Sequence, residues 1–354
     1  MNHNLRQGAA AEVALVARHC AAADVPHAIL DWHWDGQGNL QAAARDARRR
    51  LLADHVTGIG AGAILLGHTA DDQAETVLMR LARGSGIDGL AGMAARDGIW
   101  IRPLLGVPRE PLRDWLRAEG IDWAEDPSNE DPRFDRVRVR QLMPALEGIG
   151  ITRDRLIRTA AMMAEERVAA NRAASDWAAR FALVEGGDLL FDREAFEAGP
   201  PALRHRLLAA VIRWFSGAPY RPRLADLEAW EASGWQTART LGGVVAAAES
   251  DRLRFMREAA ATADPVALAD GVPITWDNRW TLEGPAAPDL TVGALGPVLD
   301  ACPDWRATGL SRRSLETTPA VRDAGGVIAA PLAGFGSEWT ATLRPTFTQF
   351  LVSH

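Results

Sequence analysis

The sequence predicts an α/β N-terminal domain built on a parallel sheet, then a helical domain and a small mixed α/β or β-rich C-terminal region. Three observations predict it. Over residues 1–147 short apolar runs alternate with helix-period segments, the pattern of strands returning through helical crossovers. Over 148–239 helix-period segments continue without that alternation, and over 240–354 short strand-like pieces are broken by Gly, Pro and Asp. A chain of 354 residues also exceeds what one core usually organises, so several domains are expected.

From Ala9 to Ala23 the residues Val13, Val16, Ala17 and Cys20 recur at helical spacing, and Pro26 then opens an apolar run to Leu30, read as a strand. Asn39 is the expected cap of a second helix running through Leu40, Ala44, Ala47 and Leu51. A strand is expected at Gly62 to Leu66. Next comes Gly67-His68-Thr69-Ala70-Asp71-Asp72, then a helix with Ala74, Val77, Leu78 and Leu81 as its apolar stripe, and a glycine-rich loop from Gly84 to Gly92. Ile99 to Arg102 reads as a strand, Pro111 to Ala118 as a helix, and Asp122 to Pro132 as an irregular acidic connection. Helices are expected at Arg153 to Phe181 and Ala202 to Phe215, with no strand between them. Strand pieces are expected at Thr240 to Val245 and Ile274 to Leu282.

Composition narrows the class. Apolar residues make up 47% and charged residues 24%, an ordinary globular balance. Cys20 and Cys302 stand apart without CxxC or Cys/His spacing, so neither a disulfide framework nor a zinc site is indicated. No run approaches the roughly 18 apolar residues of a membrane span, and no signal-peptide pattern opens the chain, so no membrane partner and a cytoplasmic setting are expected. All 39 basic residues are arginine, which excludes Schiff-base chemistry. The net charge of −7 argues against general adhesion to nucleic acid, but local patches differ. Residues 133–158 hold seven arginines against three acids, and residues 198–225 hold five arginines and no acid, an arrangement suited to a structured polyanion.

The most informative segment is GAILLGHTADDQAETVLMRLARGSG, where an apolar strand ends and a helix opens on carboxylates. Ligands of open α/β sheets bind beyond the carboxyl ends of strands, where helix N-termini offer free N–H groups. Asp71 and Glu75 are four apart and Asp72 and Glu75 three apart, so one turn presents all three around a Mg²⁺ or an ammonium. A purely structural use is also open: Thr69 with Asp72 fits a capping box, and acids in a first turn favour the helix dipole. In EDPSNEDPRFDRVRVRQLMPAL the helical period puts Arg133, Arg136 and Arg140 on one side and Arg138 on another. Trp32, Trp34, Trp100, Trp115 and Trp123 could stack on unpaired bases, but large aromatics more often pack, and none is assigned a role.

GHTADDQAETVLMRLARGSGIDGLAGM, preceded by NLQAAARDARRRLL and followed by EDPSNEDPRFDRVRVRQLMPAL, resembles the tRNA(Ile)-lysidine synthetase family over residues 1–146, with a weaker likeness through PALRHRLLAAVIRWF and ARTLGGVV. The resemblance implies a PP-loop ATPase domain of the adenine nucleotide alpha hydrolase-like fold, with ATP and Mg²⁺ as cofactors and tRNA(Ile) and free L-lysine as partners; homodimerisation is left open. It implies ATP-dependent adenylation of the wobble cytidine at carbon-2, then attack by the lysine amine to give lysidine, AMP and pyrophosphate. The roles implied are catalysis by Asp71, Asp72, Glu75 and Arg138, ATP binding by His68, Arg45 and Arg48, tRNA binding by Arg133, Arg136 and Arg140, and metal binding by Asp71 and Asp72. The family's RNRIR element reads Arg136-Val137-Arg138-Val139-Arg140, so its asparagine is absent.

Family members open with a strand and an SGGxDS loop that cradles the ATP pyrophosphate. Nothing here matches that loop, and Met1-Asn2-His3-Asn4-Leu5-Arg6 resembles the end of the family's second strand, so the chain reads as starting mid-domain, from a misplaced start codon or as a fragment, with a real loop-less protein as the alternative. Two rival readings follow: a catalytically inactive tRNA-binding protein, or a PP-loop enzyme acting on another tRNA base.

Overall fold

In the computed structural model, residues 9–34, 36, 38, 40–125, 131–235, 238–268, 273–285, 287 and 289–353 are described. The expected cap Asn39, the opening residues 1–8 and part of the acidic connection, 126–130, lie outside them. The chain forms two units, residues 1–167 and 168–354, with the boundary falling inside one long helix.

In the first unit the helical period is realised as α1 (Ala9–Ala22) and α2 (Leu40–Gly58). The strand expected at Pro26 to Leu30 does not form. Val25 and Ile29 remain exposed there, so ordering that backbone would gain no apolar burial to offset its entropy. The chain continues through β1 (Ile64–Leu65), α3 (Ala70–Ala82), α4 (Ile87–Leu90), β2 (Arg96–Asp97), β3 (Trp100–Ile101), α5 (Arg109–Ala118), α6 (Asp135–Gly148) and α7 (Arg153–Phe181). The described sheet runs β1-β3-β2; β1 and β3 are parallel and β2 returns antiparallel, so the sheet is mixed rather than wholly parallel.

Helix α3 follows from its sequence. Ala74 and Val77 face inward against Leu156 and Ala160 of α7, with Leu78 and Met143 beside them, while Leu81 at the stripe's end stays exposed. The glycine-rich segment that follows is not left loose, because it contains α4 and is gripped by two α3 side chains. The Gln73 amide donates to Met93 O at 3.0 Å and accepts from Met93 N at 2.8 Å, while Arg80 Nη1 donates to Gly89 O and Gly92 O, each at 2.8 Å. Gly92 sits at φ +66° with the Gln73 amide 2.7 Å from where a Cβ would be, so only glycine fits.

The second unit contains β4 (Ala182–Glu185), β5 (Asp188–Asp192), α8 (Arg193–Ala198), α9 (Pro201–Ser216), α10 (Leu224–Ala232), β6 (Arg239–Leu241), β7 (Val244–Ala248) and β8 (Arg252–Arg257). The helices expected at Arg153 to Phe181 and Ala202 to Phe215 are present, but the β4–β5 hairpin between them was not anticipated. Its strands join β8, β7 and β6 in one sheet of order β4-β5-β8-β7-β6. Leu189 and Phe191 of β5 thereby pack with Val244, Phe255 and the buried face of α9, including Leu207, Val211 and Phe215. An apolar run buried this way reads like a helix segment in sequence.

The remaining elements are β9 (Val266–Ala267), β10 (Ile274–Trp276), β11 (Trp280–Glu283), β12 (Thr291–Ala294), α11 (Arg312–Glu316), β13 (Pro319–Asp323), β14 (Gly326–Ala329), β15 (Thr340–Leu343) and α12 (Phe347–Ser353). Each strand piece expected here is a hairpin rather than one strand. Gly242-Gly243 turn at φ +57° and +76°, and Asp277-Asn278 at +49° and +59°; two successive positive φ values suit the right-handed twist of the flanking strands. A β-rich core around Trp276, Trp280, Leu282, Val292 and Val321 results. Among the described residues no helix is long and apolar enough to cross a membrane.

Candidate active site

The strand-to-helix handover at β1 and α3 gathers the predicted carboxylates. Thr69 is the N-cap: its hydroxyl accepts from Asp72 N, while Asp72 Oδ2 accepts from Thr69 N and from Thr69 Oγ1, each at 2.8 Å. Capping and site formation therefore coexist. Burial opposes ionisation of Asp72, but the Thr69 backbone and hydroxyl donors and the charges of Arg109 and Arg136 outweigh it, holding the carboxyl below its usual range. Asp72 is an anion at neutral pH.

Glu75, one turn on, is 2% exposed and accepts from Arg140 Nε at 2.9 Å, with Arg136 Nε at 3.3 Å. Asp71 faces a different way. Its Oδ2 accepts from the backbone N–H of Arg109 at 2.7 Å and so caps α5 from outside, where Pro108 offers no side-chain cap. Ala70 N donates to Val107 O at 3.0 Å, which ties the two helix starts together. The Arg109 side chain turns back to Asp72 at 3.4 Å and Glu75 at 3.7 Å, and Arg153 approaches Asp71 at 3.8 Å. Four guanidinium groups thus face three carboxylates, a locally positive cluster.

The predicted arginines divide. Arg136 and Arg140, one turn apart on α6, both reach Glu75. Arg133 does not share their face, because α6 begins only at Asp135 and Arg133 closes on Asp131 in the preceding turn, 85% exposed. Arg138, expected in catalysis, pairs with Asp135 instead; it lies about 200° around the helix from Arg136. Arg45 and Arg48 are exposed on α2, beside Arg49, whose guanidinium covers the Trp100 ring at 5.0 Å. In the second unit the arginine-rich segment is partly spent internally, since Arg204 and His205 both pair with Glu231.

His68 stands at the strand tip with its ring Nδ1 buried and without a hydrogen-bond partner. Desolvation lowers its pKa from 6.5; Asp72 opposes this, and Arg102, Arg136 and Arg48 reinforce it. An orphaned ring nitrogen close to Arg48 fits a nucleotide. Because the unfolded chain binds this proton more tightly, the contribution of His68 to stability is complete above 6.5 and is lost as pH falls through the lower folded value. Histidine-resolved NMR should show His68 titrating below 6.5; a midpoint at or above that value contradicts the desolvated ring.

Among the described residues no three His, Cys, Asp or Glu side chains converge as a metal centre. Mg²⁺ needs only one or two carboxylates, with water and phosphate filling its other positions. Asp72 spends Oδ2 on Thr69 and Oδ1 on Arg109, whereas Asp71 Oδ1 meets Arg153 at the longer distance of 3.8 Å, so among the described residues the donors fit a cation held mainly by Asp71. Sequence reasoning missed Arg109 and Arg153. Both come from distant segments, and no spacing pattern connects them to α3.

Comparison with known proteins identifies the family. A family described as a PP-loop domain matches residues 1–146, which include β1, α3 and α6 up to Leu146. The tRNA(Ile)-lysidine synthase of Ruegeria pomeroyi is 44% identical over 365 aligned positions, covering 100% of this chain and 85% of that protein. The synthase of Rhodopseudomonas palustris is 51% identical over 165 positions, 45% of this chain and 48% of that one, and that of Methylobacterium nodulans 39% identical over 268, 69% and 77% respectively. With likeness running the whole length of the chain and the α3 carboxylates inside its PP-loop part, the chain belongs to the tRNA(Ile)-lysidine synthase family.

Proposed function

We propose that this chain is an ATP-dependent carbon–nitrogen ligase that converts the wobble cytidine of an isoleucine tRNA to lysidine, using free lysine and releasing AMP and pyrophosphate. The observation that carries the reading is the 44% identity to a tRNA(Ile)-lysidine synthase across the whole chain. The cytoplasm, where tRNA and free lysine meet, is the expected setting. ATP, when bound, supplies the adenylate that activates carbon-2 of the base; His68, with Arg45 and Arg48 on α2, would hold it, and Asp71 beside Asp72 would hold a Mg²⁺ on its phosphates.

The chain's own groups do the rest. Asp72, kept ionised by Thr69 and the nearby arginines, holds the lysine ammonium together with Glu75 and orients it while its proton passes to solvent, so that the free amine attacks carbon-2 as AMP leaves. Arg136 and Arg140 fix Glu75 from α6, and Arg133, exposed in the turn before that helix, offers a separate guanidinium to tRNA phosphates. Arg138 pairs with Asp135 on another face of α6 from Arg136, so a role at the leaving phosphate requires that pair to open.

The full chain incubated with ATP, tRNA(Ile) bearing cytidine at the wobble position and labelled lysine should transfer label to RNA and release AMP in equal amount. Equal labelling of a tRNA with another wobble base, or ATP-independent labelling, overturns the reading.

A further inference from the structure

One nitrogen occupies the place that the proposed reaction needs for its amine. Arg109 Nη2 lies 3.4 Å from Asp72 Oδ1 and 3.7 Å from Glu75 Oε1, straddling two carboxylates. Charge-assisted N–H···O contacts close to about 2.7–2.9 Å when well made, so this grip is loose. Arg140, by contrast, holds the same Glu75 oxygen at 2.9 Å. The Arg109 backbone is fixed, since its N–H donates to Asp71 at 2.7 Å, which leaves the side chain as the part that can move. A guanidinium does not lose its proton, so a displaced Arg109 needs a new anion.

We propose that Arg109 is a specificity-determining residue for the amine substrate: its guanidinium fills the ammonium seat between Asp72 and Glu75 and yields only to an amine that also carries a carboxylate. The inference rests on the function proposed above and deepens it. An entering amino acid keeps both ion pairs of the seat, its ammonium replacing the guanidinium between the carboxylates, and adds a third as its own carboxylate receives the released guanidinium. A simple diamine offers no second pairing and leaves Arg109 stranded in a partly buried site. The seat therefore admits free amino acids and rejects polyamines of the same length.

The test measures binding of lysine and of 1,5-diaminopentane, which is lysine without its carboxylate, to the full chain by calorimetry. The wild-type protein should prefer lysine, and Arg109→Gln should narrow that preference by about tenfold or more, the worth of one charge-assisted contact. Arg109→Lys retains a cation to fill the seat and should keep the diamine out. If Arg109→Gln fails to fold, the Arg109→Lys result still decides, because loss of diamine exclusion in that variant overturns the proposal. A preference unchanged in Arg109→Gln, or a wild-type protein that treats both amines alike, overturns it equally. Binding is read without ATP or tRNA, so a wild-type protein that binds lysine selectively but transfers none to RNA counts against the proposed function alone.

Discussion

Replacing Asp72 by asparagine is expected to lower lysine transfer to tRNA at least about a hundredfold, the scale of losing a positioned charged group. The side chain keeps its shape, and its carbonyl oxygen can still accept from Thr69, so the cap of α3 survives in part. What disappears is the negative charge that Thr69, Arg109 and Arg136 stabilise. The ammonium then faces Glu75 alone, already engaged by Arg136 and Arg140. Binding of tRNA, measured by filter retention, should stay within about twofold, since phosphate affinity depends on the arginines. Full transfer activity in Asp72→Asn contradicts the role given to this carboxylate.

Replacing Glu75 by alanine should destabilise the N-terminal unit by about 2–3 kcal/mol, below the cost of breaking a fully buried ion pair because the arginine partners are partly exposed. Glu75 is the anion on which Arg136 and Arg140 converge, so its loss removes the electrostatic tie between α3 and α6 and leaves cationic groups crowded together. Amide hydrogen exchange along α6 should quicken while β5, β7 and β8 of the second unit keep their protection. Unchanged exchange in α6 would show that the remaining contacts, Arg136 to Thr76, Arg83 to Asp135 and Met143 beside Ala74 and Val77, suffice to hold the helices.

Local chemistry was legible in the sequence, and long-range pairing was not. The handover from β1 to α3, the Thr69–Asp72 box and the clustering of Asp71, Asp72 and Glu75 all depend on neighbours within about one helical turn, which spacing reports directly. Grouping Arg133 with Arg136 and Arg140 failed because the helical period was extended two residues before the helix begins at Asp135. Arg109 lies 37 positions from Asp72, and only folding brings the start of α5 against that of α3. In the same way the apolar run at Leu189 to Phe191 shows its strand character only once β8 lies beside it, and the run at Pro26 to Leu30 had strand-like residues but no surface to cover.

The account turns on whether the opening turn of α3 is an amine seat. Equilibrium binding of labelled lysine to the wild-type chain and to an Asp72→Asn/Glu75→Gln double variant tests that most directly. The prediction is selective binding by the wild type and a loss of at least about tenfold in the variant, with tRNA affinity retained. Equal lysine affinity in the two proteins would contradict it.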